Sequence, residues 1–384
     1  MARARNNHPW EDLPLFRQGA SATTMATEAS SSEPGKQRPG DTGNRTGKGS
    51  GVGNPAHAPA SRSSLPTVQL PDWSHLPPLP PGIRFGTSSW TYPGWFGQVY
   101  SRKYRSSGDT LPMLEEYVQC PLFQCVGIDS TFYRPPTRET LEAYAATFPP
   151  GFVAVAKVYE RFTIRRFARH PKWGTLAGER NPDFLDAQQC TDLVVGPWLE
   201  VLGEHAGPLI FEFQAMNPPD RPAPEAWAEE LEHFFQRLPS IGKYAVEIRN
   251  PQLLHPAYLN ALKRIGVSHV FNAWTRMPPI LEQRRRMGGL PTDFIVVRGL
   301  LQTSRTYAAA VDRFKPYDRI QDPQHSVRAE IVRMVLDALA TGRTAFILIN
   351  NRLEGNAPGT IEAIRSLLAR ALASVATASD GETT

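Results

Sequence analysis

KYAVEIRNPQLLHPAYLNALKRIGVSHVFN, residues 243–272, contains one full repeat of the architecture. In Lys243–Arg249, Tyr244, Val246 and Ile248 alternate with Ala245, Glu247 and Arg249. That period of two marks a strand with two distinct faces. Residues 252–265 carry helical spacing, and Gly266 stands where a helix needs a left-handed closing residue. Val267–Asn272 opens the next strand. Strand, helix and strand in that order predict parallel strands joined by a crossover.

The same unit recurs on both sides. Apolar runs fall at Ile83–Ser88, Cys125–Ser130, Phe152–Lys157, Pro208–Gln214, Lys243–Arg249, Val267–Asn272, Asp293–Arg298 and Thr344–Asn350. Helical patterns lie near 110–119, 137–147, 182–204, 224–237, 252–265, 279–288, 325–341 and 359–373. Thr137 before Arg138-Glu139 and Pro224-Glu225 are helix-start signals. Eight strand–helix units over residues 83–374 predict an α/β fold of the TIM (β/α)8-barrel type. The alternative, a doubly wound open sheet, usually has a glycine-rich phosphate turn after its first strand. Here Gly86-Thr87-Ser88-Ser89-Trp90 leads into an aromatic loop instead.

Residues 1–64 read differently. Seven glycines fall between Gly35 and Gly53, and the segment has too few apolar side chains to offset its ordering entropy. It is expected to be a disordered Gly/Ser/Pro-rich tail. Gly47-Lys48-Gly49 lacks both the spacing and the preceding strand of a phosphate loop. Residues 65–82 read as a stiff Pro-rich linker and 375–384 as a second disordered tail.

Composition narrows the function classes. The three cysteines, Cys120, Cys125 and Cys190, are odd in number and form no C-x-x-C pair, against a disulfide framework or a cysteine zinc site. No apolar stretch approaches the roughly eighteen residues of a membrane span, and no signal-peptide core precedes the fold. A cytoplasmic location without membrane partners is expected. The net charge is +5. Eight Lys/Arg and five Asp/Glu lie within residues 1–64, leaving 34 against 32 in residues 65–384, so no basic footprint spans the folded part.

Barrel sites form at the carboxyl ends of the strands. Period two there puts Asp129, Lys157, Glu212, Glu247, Arg249 and Arg298 on the inward face. Such charges are either mutually paired or used. Used, Asp129 and Glu247 supply acid–base chemistry, Lys157 a cation or base, and Arg249 and Arg298 forks for phosphate or carboxylate. Trp90, Tyr92 and Tyr133 offer stacking surfaces in the loops, and Asn272 and Asn350 complete the ligand-binding set. Asp129 and Glu247 could also hold Mg²⁺ or Mn²⁺, although nothing in the histidine spacing calls for a metal. The basic loop Arg161–Arg180 could meet nucleic acid.

Four motifs carry a family resemblance. Gly86-Thr87-Ser88-Ser89-Trp90-Thr91-Tyr92-Pro93-Gly94-Trp95, Asp129-Ser130-Thr131-Phe132-Tyr133-Arg134, Val246-Glu247-Ile248-Arg249-Asn250 and Asn350-Asn351 resemble the YecE-like family, domain of unknown function 72. The resemblance runs from about Ile83 to about Ala373 and implies a TIM barrel with a pocket, but no particular reaction. The chain departs from the pattern at Gly127-Ile128-Asp129, at Thr163-Ile164 and at Arg298-Gly299, where two of the family's histidines are missing.

The expected function is an enzyme, a hydrolase or isomerase, acting on a phosphorylated or nucleotide-like ligand at the barrel mouth. A non-catalytic anion-binding barrel and a nucleic-acid-processing protein are the alternatives.

Overall fold

A computed structural model describes residues 68–105 and 109–381. The tail predicted over 1–64 lies outside these residues, as do 382–384.

Eight parallel strands form one sheet: β1 (Ile83–Thr87), β2 (Cys125–Ile128), β3 (Val153–Lys157), β4 (Ala206–Phe213), β5 (Tyr244–Ile248), β6 (Ser268–Ala273), β7 (Phe294–Gly299) and β8 (Thr344–Ile349). Their order, β1-β8-β7-β6-β5-β4-β3-β2, curls into a nearly closed TIM-type barrel. Around it lie α1 (Thr110–Gln119), α2 (Arg138–Thr147), α4 (Pro224–Phe235), α5 (Pro256–Ile265), α6 (Ile280–Met287), α8 (His325–Ala340) and α9 (Ala357–Gly381). Between α2 and α4, α3 is built from Ala187–Cys190, a π turn Thr191–Val195, and Gly196–Leu202. An extra helix after β7, α7 (Tyr307–Phe314), was not anticipated from the sequence.

Local chemistry explains the boundaries. Thr137 caps α2 by accepting from the Thr140 amide, and Gly266 ends α5 in the left-handed conformation. The last helix continues to Gly381, past residue 373 and into the segment expected to be a disordered tail from 375.

Two cores result. The larger packs helices onto the outer face of the strands. The smaller fills the barrel with Cys125, Val153, Val155, Ile210, Ala245, Val270, Phe294, Val296, Phe346 and Leu348. These are the inward positions that period two assigns.

The seam between β1 and β2 is closed by a side chain. The buried Tyr117 hydroxyl of α1 accepts from the Thr87 amide at 3.0 Å and donates to the Cys125 carbonyl at 3.1 Å. Gly86 and Gly127 permit this close approach, since a methyl on Gly86 would overlap the Cys125 carbonyl.

Residues 68–82 do not stand off as a spacer. Leu76 is buried in the larger core and Trp73 packs against it. Arg365 of α9 donates to the carbonyls of Pro77 and Pro121 at 3.1 and 2.7 Å. A cavity of about 1010 Å³ lies here, lined by Trp73, Pro78, Gln119 and Arg365, at the amino ends of β1 and β2.

Candidate active site at the barrel mouth

The opposite end of the barrel is ionic. The register of β4 against β5 sets Glu212 beside Glu247, two carboxylates on neighbouring strands. Neither could remain charged there without cations. Arg249 supplies one, with Nη2 at 2.6 Å from Glu247 Oε1 and 3.0 Å from Glu212 Oε2. Arg298 supplies another, with Nη1 at 2.6 Å from Glu247 Oε2 and 3.3 Å from Glu212 Oε2. Its Nη2 reaches Asp129 Oδ1 at 3.0 Å. Lys157 Nζ lies 3.2 Å from Glu212 Oε2 and 3.8 Å from the centre of the Phe132 ring. The Trp274 ring covers the Arg249 guanidinium at 4.0 Å.

Three cations thus face three carboxylates. Burial alone would raise the Glu212 pKa, but Arg249, Lys157 and Arg298 outweigh it and hold the carboxyl well below its ordinary range. Burial works against the charge of Arg298, and Glu247, Asp129 and Glu212 more than restore it, so it stays protonated.

Exposure sorts the members. Glu247 is fully buried, whereas the Asp129 side chain is 29% exposed and forms the outer edge. Several buried polar atoms at this end lack a partner: Arg249 Nη1, Arg298 Nε, Asn272 Oδ1 and Ser88 Oγ. Arg298 also occupies the position between Asp129 and Glu247 that a shared cation would take. Among the described residues no group of three His, Cys, Asp or Glu side chains is arranged to hold a metal.

The remaining expected residues divide. Asn272 is buried on β6 beside Arg298 of β7. Asn350 Oδ1 accepts from Arg352 Nη1 at 3.0 Å. Tyr133 stands on the rim, 65% exposed. Tyr92 packs edge-on to Tyr317, and burial pushes its hydroxyl pKa up to about 12, with Arg352 opposing the rise and Asp129 adding to it. Trp90 does not join them. It is buried, its indole donates to the Thr110 carbonyl at 2.9 Å, and its ring meets Tyr144 edge-on, so it packs against the helices rather than lining the mouth. His269 also turns outward, between Tyr258 and Gln283.

Two residues at this end escaped the sequence reading. Arg352 follows β8, and its Nη2 donates to the hydroxyl of Tyr307, the first residue of α7, at 2.7 Å. Counting two onward from Leu348 and Asn350 would have reached Arg352. The basic loop after β3 is largely paired: Arg161 with Asp183, Arg165 with Glu230, Arg166 with Asp220 and Lys172 with Glu160. No helix among the described residues is long and apolar enough to cross a membrane.

Comparison with known proteins gives three findings. A family model described as protein of unknown function DUF72 matches residues 84–383. No curated protein matches the chain in sequence. Solved structures resemble it in fold. A DUF72 family protein from Enterococcus faecalis is 16% identical, with a TM-score of 0.52 over 74% of this chain and 95% of its own. A DUF72 family protein from Thermotoga maritima is 17% identical, with a TM-score of 0.50 over 74% and 98%. SacUVDE is 11% identical, with a TM-score of 0.40 over 74% and 98%.

Proposed function

The chain belongs to the DUF72 family of proteins of unknown function, and from that premise we propose that it binds a small phosphorylated ligand at the carboxyl-terminal mouth of the barrel and acts on it by acid–base catalysis. The reaction class is hydrolysis or isomerisation. One observation carries the reading: the charged layer retains buried, unpartnered donors and an acceptor, namely Arg249 Nη1, Arg298 Nε and Asn272 Oδ1, at the strand ends where barrel enzymes work. Such atoms are costly when left unbonded, and the uncharged polar groups of a ligand would complete them.

The roles differ with depth. Asp129 is the proton-transfer group, because it is the carboxylate open to solvent. Glu247, enclosed by two guanidinium groups, holds Arg249 and Arg298 in place. Lys157 orients Glu212. Tyr133 offers a rim surface for stacking. The nucleic-acid alternative is weaker, because the cations of the β3 loop already hold carboxylates.

A thermal-shift screen with sugar phosphates and nucleotides tests the reading. The expected result is stabilisation by at least one of them. Asp129→Asn is expected to keep that shift and lose about 10²–10⁴-fold in turnover. No shift with any ligand would remove the pocket, and full turnover in Asp129→Asn would remove its role.

A further inference from the structure

We infer that Arg352, together with Tyr307, forms the phosphoryl-recognition subsite of the mouth, rather than Arg249 or Arg298. This rests on the ligand reading above and names the group that recognises the anion.

The argument is one of charge. Within the barrel end, Lys157, Arg249 and Arg298 are matched by Asp129, Glu212 and Glu247. An anion approaching those arginines meets the carboxylates already bound to them. Arg352 differs. Its Nη1 donates to the Asn350 amide oxygen at 3.0 Å and its Nη2 to the Tyr307 hydroxyl at 2.7 Å, both neutral acceptors. Its Nε is buried without a partner. Among the described residues no carboxylate lies within ion-pair distance of it. The positive charge of the mouth is therefore concentrated at Arg352.

The surroundings suit a phosphoryl group. Arg352 comes from the loop after β8 and Tyr307 opens the short extra helix after β7. In barrels of this type phosphate is frequently held by the loops after the seventh and eighth strands, with the amino end of a short extra helix. Tyr307 is 51% exposed, so its phenol can turn from accepting from Arg352 to donating to a phosphate oxygen. The freed Nη2 and the unbonded Nε then present the two-pronged edge that binds oxyanions.

Inorganic phosphate is the probe, titrated calorimetrically into the full-length protein, with malonate as the dicarboxylate arm. Phosphate is expected to bind the unaltered protein. Arg352→Gln should weaken it roughly tenfold or more, the loss of a charge-assisted bond. Its melting temperature without phosphate should stay close to that of the parent. Should Arg352→Gln fail to fold, Arg352→Lys is read instead; it keeps the charge but not the fork and should lose several-fold. Unchanged phosphate affinity in the variant that folds overturns the inference. So does binding of malonate with none of phosphate. Sugar-phosphate or nucleotide shifts that survive Arg352→Gln undiminished sink this subsite alone, whereas their absence from the unaltered protein sinks the ligand reading with it.

Discussion

The inside of this barrel is two materials. From Phe294 and Val296 to Arg298, one inward step along β7 passes from hydrocarbon to a buried guanidinium, and Ala245 to Glu247 does the same on β5. The lower material holds by shape and by exclusion from water. The upper one holds because each charge is compensated by another. A lost methyl group below leaves a void, while a lost carboxylate above leaves three buried cations facing two carboxylates. Depth along a strand therefore decides how the protein fails.

The largest expected effect tests that contrast directly. Glu247→Ala takes the nearest carboxylate, at 2.6 Å, from both Arg249 and Arg298 and should cost about 3–5 kcal/mol in denaturant unfolding. Ile210→Ala, in the apolar layer, should cost about 2–5 kcal/mol through its cavity. Adding Arg298→Met to Glu247→Ala should recover part of the first loss, and no mutation in the apolar layer should do so. If Glu247→Ala is silent, the upper layer does not support the fold.

A smaller effect is expected where neither material operates. Tyr117→Phe removes only the hydroxyl that bridges β1 and β2, leaving the Thr87 amide and the Cys125 carbonyl unmatched. A loss of about 1–3 kcal/mol is expected, with faster hydrogen exchange at the Thr87 amide. Equal exchange in both proteins would mean the seam is held without the hydroxyl, by packing and by the Gln124 amide bond to the Phe85 carbonyl.

A further effect is in pH. Burial lowers the His269 pKa to about 4, with its Gln283 hydrogen bond opposing. The unfolded chain takes up that proton first, so the neutral ring's contribution is present above about pH 6.5 and is lost as pH falls toward 4. Glu212, with its pKa also lowered, contributes above its ordinary 4.5 and is lost only as pH falls further. Unfolding measured across pH 4–6.5 should slope downward with acid, and His269→Gln should flatten it. An unchanged slope would place the titrating group elsewhere.

Much of this was readable from residue spacing. Strand period alone put Asp129, Lys157, Glu212, Glu247, Arg249 and Arg298 together, because alternation fixes a face. It could not say that they neutralise one another, since the pairs join residues as far apart as Asp129 and Arg298. Trp90 misled because a loop aromatic has no period to aim it. Arg352 escaped because it lies two residues beyond the last strand run. The Pro-rich segment reads as stiff whether or not it packs, and Leu76 is one apolar residue among prolines.

The Arg365 clamp bears on the order of biosynthesis. Its two bonds fasten Pro77 and Pro121 to a helix made almost three hundred residues after Pro77, at a sequence separation of 288. A growing polypeptide exposes the 68–82 stretch long before its anchor has left the ribosome. Apart from the Val68 amide, which bonds the Ser101 carbonyl, that stretch waits for its late-made anchors, so the earliest described part of the chain is among the last to be fully fastened.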